Sequence, residues 1–135
     1  MREIKFKLFG KHNKKMYIFD PRWGNFGQGG GWVGGVPLNE FEKNGRTFAP
    51  SNQEQLEPES CEWLQFTGLL DKNDIEIYEG DIVHIASSPQ ENNKVEYCNG
   101  IYLLLPHGLY LSDWYEHVGI IGNTYENPEL LEKPE

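Results

Sequence analysis

Apolar and polar residues alternate in short stretches along this chain, with the two-residue period of a half-buried strand. Ile4, Phe6 and Leu8 fall on one side of residues 2–9, with Lys5 and Lys7 between them facing water. A second apolar run, Met16 to Phe19, follows the polar GKHNKK, so the opening reads as a β-hairpin. Pro21 ends its second strand. Residues 24–35, GNFGQGGGWVGG, then hold seven glycines in twelve positions and read as a loop. Pro37 to Gly45, PLNEFEKNG, has a proline at the first helical position, Leu38 and Phe41 on one side and a closing glycine, the marks of a brief helix. Ser51 and Glu54 have capping-box spacing, but Pro58 follows closely, so this stretch reads as an irregular acidic linker.

From Trp63 the strand signal strengthens. Leu64 and Phe66 alternate with Trp63, Gln65 and Thr67, and Thr67-Gly68 reads as the exit from that strand. Asp71-Lys72-Asn73-Asp74 is a turn whose side chains bond their own backbone and tolerate left-handed conformations. Ile75 to Tyr78 resumes the strand pattern, and Glu79-Gly80-Asp81 turns tightly into the β-branched run Ile82 to Ile85. Beyond the polar turn Pro89 to Asn93, further strands are predicted at Lys94–Tyr97, Ile101–Leu105, Leu109–Leu111 and Val118–Ile121. Asn99-Gly100 between two of them is the best hairpin signal in the chain. Short strands joined by tight turns suit a small closed barrel, in which full pairing removes exposed edges. Asn127-Pro128 then opens a short helix before an acidic tail. The fold class is therefore mainly β, a β-rich α+β chain in three parts. An N-terminal hairpin with an irregular, glycine-rich segment occupies residues 1–60, a small barrel 61–126, and a short helix and tail 127–135.

At 135 residues the chain supports one modest core, and with aromatics at 13% rings supply an unusual share of it. No run of about 18 apolar residues exists, and MREIKFKLFGK lacks the apolar middle of a secretion signal. The expectation is an intracellular protein with no membrane segment. Cys61 and Cys98 form no CxxC pair, so both read as reduced, partly buried thiols. The net charge of −9 is uneven, because residues 1–15 carry +5 and the remainder −14. An acidic body repels nucleic acid unless a basic patch is exposed, which disfavours that class of partner.

Three segments resemble the YopX family of phage and prophage proteins. They are Arg2-Glu3-Ile4-Lys5-Phe6-Lys7 followed by a lysine-rich turn and Met16, then Thr67-Gly68-Leu69 with Asp71-Lys72-Asn73 and Ile77-Tyr78-Glu79-Gly80-Asp81-Ile82-Val83, and finally Ile121-Gly122-Asn123-Thr124-Tyr125-Glu126-Asn127-Pro128-Glu129-Leu130. The chain departs from the family pattern at Phe9, where tryptophan is usual, and at Asp74, where glycine is usual. The glycine-rich insert is particular to this member. The resemblance implies a C-terminal SH3-like barrel, an origin in a phage or prophage of Gram-positive bacteria, hence the host cytoplasm, and no assigned activity or catalytic residue.

Candidate chemistry is thin. Gly29 to Gly34 has G-x-G-x-x-G spacing, but no apolar strand precedes it and Val36-Pro37 follows where a helix is needed. Asp71-x-Asn73 opens like a calcium loop, yet Glu76 stands where glycine is required and Ile82 where glutamate is required. His84, His107 and His117 with Asp81, Asp113 or Glu116 have no known metal-site spacing, and scattered surface histidines explain them. Nothing local activates Cys61 or Cys98 as a nucleophile, and Glu79 and Asp81 fit turn formation. No catalytic residue, metal or cofactor is expected. Aromatics of small barrels sometimes line a groove, and Trp63, Tyr78, Trp114 and Tyr115 are the candidates, the last two beside Ser112-Asp113 at a predicted rim. The expected role is a non-enzymatic phage accessory protein that binds another protein and itself. One alternative is nucleic-acid binding through Lys5, Lys7, Lys11, Lys14 and Lys15, and another is a small metal-dependent hydrolase.

Overall fold

The computed structural model of the chain describes residues 5–20, 33–43, 45, 54–85 and 92–131. Most of the glycine-rich loop, the Ser51 end of the capping box, the Pro89 end of its turn and the acidic tail lie outside the described residues. The chain divides into two compact units, Met1–Gln65 and Phe66–Glu135.

In the first unit β1 (Phe6–Gly10) and β2 (Met16–Phe19) form the expected hairpin, pairing from Phe6–Phe19 to Phe9–Met16. Its loop turns through Lys14 at φ 59°. Strands β3 (Val33–Pro37), β4 (Glu54–Leu56) and the first half of β5 (Cys61–Leu70) complete an antiparallel sheet of order β4-β3-β2-β1-β5. Two of these strands replace expected irregular chain. Gly35 serves close approach, since a Cβ on it would lie 2.7 Å from Leu56 Cδ1 and 3.1 Å from Tyr17 Cβ. With β3 in place its free edge accepts Glu54–Leu56, overriding the acidic composition. Helix α1 (Leu38–Lys43) follows as read, with Phe41 buried.

Both faces of this sheet are covered. Leu8, Tyr17, Phe19 and Cys61 cluster on one side with Phe6 and Leu56. Alternation and register place Phe9, Met16, Ile18, Val36 and Leu64 on the other side, all buried.

In the second unit β6 (Glu76–Tyr78) pairs with the second half of β5. Strands β7 (Asp81–Ile85), β8 (Asn92–Cys98), β9 (Ile101–Leu105), β10 (Leu109–Tyr110) and β11 (Val118–Asn123) form a second antiparallel sheet of order β10-β9-β8-β7-β11. Its core is Ile77, Val83, Ile85, Val95, Leu104, Leu111 and Val118, none more than 2% exposed. The turns follow their local chemistry. Asn99 at φ 50° and Gly100 at φ 90° make the left-handed pair a two-residue hairpin needs. Asp74 does take a left-handed conformation, at φ 63°. Asp71 does more than turn formation requires, and Asp81 forms its turn as read. Asp71, 4% exposed, accepts the N–H groups of Asn73 at 2.8 Å and Ile75 at 3.0 Å through Oδ1, and that of Ile120 at 2.9 Å through Oδ2. Asp81 Oδ2 accepts the Tyr78 N–H at 2.8 Å, closing the Glu79-Gly80 turn.

Two expectations are corrected. Strand β5 does not leave at Thr67-Gly68 but continues to Leu70, with a register shift after Phe66 and Gly68 at φ 88°. The Thr67 hydroxyl holds this bulge by donating to Ile77 O at 2.8 Å and accepting the Leu69 N–H at 3.2 Å. Leu111 does not close a strand but opens a one-turn helix α2 (Leu111–Trp114), followed by a 3-10 turn at Tyr115–His117. Leu111 is fully buried, so Ser112-Asp113 sits on a helix that the core anchors. The short C-terminal helix is a 3-10 turn at Pro128–Leu131, tied to β8 by Asn92 Nδ2 donating to Leu130 O at 2.8 Å.

Candidate functional site

Facing positions across β8, β9 and β10 are Lys94–Leu105, Glu96–Leu103, Cys98–Ile101 and Leu103–Tyr110. Facing residues share one side of a sheet. Val95 and Leu104, one position out of phase with them, are in the core, so this set points away from it. Ile101 is 44% and Tyr110 54% exposed, while Leu103 and Leu105 are half-buried. The charged side chains among these positions are Lys94 and Glu96, whose Nζ and Oε2 lie 3.3 Å apart. The result is an apolar outer face with one cation and one anion at its β8 side.

The four aromatics singled out by sequence are placed differently. Trp63 belongs to the first unit, 36% exposed, edge-on to Phe6 at 5.4 Å and Phe19 at 5.8 Å, with Nε1 donating to Pro58 O at 3.0 Å. Tyr78 is fully buried, 5.4 Å from the Phe66 ring, and presents no surface. Trp114 and Tyr115 are half-buried and packed against the second unit's core. Trp114 meets the His117 ring edge-on at 5.9 Å, and the Glu116 carboxylate beside Tyr115 pushes its phenol pKa up. Sequence reasoning missed the outer face because IYLLL reads as one buried run. The signal that finds it is Lys94 and Glu96 alternating with the buried Asn93 and Val95, which assigns their cross-strand partners to the outside.

Of the five lysines, Lys11 Nζ donates to Glu59 O at 3.2 Å and lies 3.8 Å from Glu62, and Lys15 lies 3.6 Å from Glu54. Lys14 sits in the hairpin turn and Lys5 and Lys7 flank Phe6. Among the described residues no three His, Cys, Asp or Glu converge as metal ligands. His84 Nδ1 faces Asn92 Oδ1 at 3.4 Å and His107 Nδ1 faces Asn93 Oδ1 at 3.0 Å. Both cysteines are free thiols, Cys61 buried and Cys98 half-buried. Burial pushes the Cys61 thiol pKa up against the opposing pull of Lys11, so at neutral pH it holds its proton and is a poor nucleophile. A cleft of about 430 Å³ in the first unit is lined by Leu56 and Cys61 with polar His12, Asn13, Glu57 and Ser60.

No helix among the described residues is long and apolar enough to cross a membrane. Among solved structures the chain is similar to the crystal structure of protein EF1440 from Enterococcus faecalis, at 22% identity and a TM-score of 0.59 over 98% of this chain and 100% of that one. At that identity the likeness is one of fold. No curated protein matches the chain significantly. The family model described as YopX protein matches residues 5–132, nearly the whole length, and the chain belongs to the YopX family.

Proposed function

We propose that this chain is a non-enzymatic interaction module of a phage or prophage, acting in the cytoplasm of the bacterial host by binding protein and associating with itself. The observation that carries this reading is where apolar surface is left uncovered. Among the described residues, seven of the eight exposed large hydrophobics (Leu70, Ile75, Tyr97, Ile101, Tyr110, Ile121 and Tyr125) lie in the second unit. Of these, Ile101 and Tyr110 share one face of the sheet with Leu103, and apolar residues grouped on one face mark contact surfaces.

The architecture supports an SH3-like barrel, read from the sequence over 61–126, as the scaffold. A flat sheet of order β10-β9-β8-β7-β11 would hold its two edge strands about 19 Å apart, at ~4.8 Å per strand. The seven residues joining those edges, helix α2 and its 3-10 turn, span only about 12 Å. The sheet therefore curls around Leu111 and the core. The pairing of Lys11 and Lys15 with acids favours this reading over nucleic-acid binding, which needs free cations.

Size-exclusion chromatography with light scattering across a wide concentration range tests the proposal. The expected result is a mass that rises from the 15.6 kDa monomer with concentration. A constant monomer throughout overturns the self-association reading.

A further inference from the structure

The second unit carries 13 acids and three lysines, a net charge of −10, whereas the first carries nine bases and eight acids. Two second units approaching at an arbitrary face repel each other. Leu70 and Ile75 flank a turn whose charged side chains are Asp71, Lys72 and Asp74, with Glu76 just beyond it, and Tyr125 neighbours Glu126, so acids outnumber cations at both places. The outer face of β8, β9 and β10 is different. Its apolar positions Ile101, Leu103 and Tyr110 are accompanied by the opposite charges Lys94 and Glu96, so it is locally neutral.

We infer that this face is the contact of a two-fold homodimer, in which Lys94 of each copy meets Glu96 of the other across a shared apolar strip. The inference rests on the self-association reading above and gives it a surface and a partner, a second copy of this chain. A two-fold contact is self-complementary, so a cation and an anion two residues apart on one strand satisfy each other twice when the strands cross antiparallel. The existing Lys94–Glu96 pair is half-exposed and held weakly, so exchanging it for the intermolecular pair sacrifices little. Burial of Ile101, Leu103 and Tyr110 supplies the attraction, and the two ion pairs fix the register.

Charge-swap complementation tests the contact. Lys94→Glu and Glu96→Lys each place like charges at both symmetry-related contacts, so each alone weakens dimerisation by about tenfold or more. Mixed in equal amounts, the two variants place opposite charges at both contacts, and light scattering is expected to show the dimer mass return. Both side chains are more than 40% exposed, so circular dichroism should match the parent. Tyr110→Lys, at the exposed β10 side of the strip, is expected to weaken the dimer by a similar factor with the fold intact. A parent dimer that all three single variants preserve, or variants that stay monomeric on mixing, overturns this contact while leaving self-association standing. A parent that is monomeric at every concentration overturns self-association itself.

Discussion

The two units handle their polar groups in opposite ways. In the first, polar side chains bind one another over long sequence separations. Tyr17 reaches Glu54, Lys15 faces the same glutamate, and Lys11 lies by Glu62. In the second, buried carboxylates bind backbone N–H groups, three of them within four residues and one, that of Ile120, 49 residues on from Asp71. Asp71 brackets its own turn and Asp81 closes the one before β7. The first unit is thus held by pairs that sequence alone cannot match up. The second is held largely by motifs that announce themselves locally. The units differ in charge as well: the second keeps three lysines against thirteen acids, whereas the first has nine bases against eight acids.

The sharpest way to break the contrast is to remove the best of those acceptors. Asp71→Ala leaves the N–H groups of Asn73, Ile75 and Ile120 without their acceptor at a site only 4% exposed. At roughly 1–3 kcal/mol for each orphaned buried donor, relieved in part by water entering the turn, the expected loss is about 3–5 kcal/mol in urea unfolding. Asp71→Asn should fall between, because its oxygen can still serve Asn73 and Ile75 while its amide faces the Ile120 N–H donor to donor. A loss below about 1 kcal/mol for the alanine variant would show that the carboxylate does not organise the second unit.

That asymmetry also decided what could be read in advance. The Asn99-Gly100 hairpin, the left-handed Asp74 and the Glu79-Gly80-Asp81 corner were legible because each is specified within four residues. The bulge in β5 was not. Thr67-Gly68 looks like an ending until Ile77 supplies, ten residues on, the carbonyl that takes the Thr67 hydroxyl. Helix α2 was hidden for a different reason. A single turn is too short to show a 3.6-residue period, and buried Leu111 fits a strand as well as a helix. The Gly34-Gly35 strand was hidden because glycine signals mobility and close packing alike, and only Leu56 and Tyr17 in place tell them apart. Of the candidate surface, the aromatics were named but Tyr78 turned inward. The outer face needed the β8–β9 register to separate the inward leucine of IYLLL from its outward neighbours.

A smaller effect sharpens the local half of the comparison. Gly100 sits at φ 90° with nothing within 4 Å of where a Cβ would stand. Gly100→Ala therefore meets backbone strain and no clash, and the expected cost is about 1–2 kcal/mol by chemical denaturation. A neutral result would mean that the turn changes type without penalty and that the register of β8 and β9 is set by their side chains.

The long-range half is tested most gently at Tyr17. Its buried hydroxyl accepts Asn13 Nδ2 at 2.9 Å and donates to Glu54 Oε1 at 3.1 Å, so Tyr17→Phe should cost about 1 kcal/mol at neutral pH. The pH dependence carries more information. Burial foremost, with Glu54 adding to it and Asn13 opposing, raises the phenol above its ordinary value of 10.0. The neutral phenol is therefore favoured in the folded state. Its contribution is complete below the ordinary value and is lost as pH rises through the raised one, because the unfolded chain ionises first. The parent should lose its advantage over Tyr17→Phe as urea midpoints are followed from neutral pH to beyond about 10. Cys61, whose thiol is also raised, titrates in both proteins, and in the parent alone its charge adds a smaller push to the Tyr17 phenol in the same direction. Two curves that fall in parallel would mean that the phenol is equally free to ionise in both states. The first unit would then owe its stability to apolar packing on its two sheet faces, with its long-range polar pairs contributing only geometry.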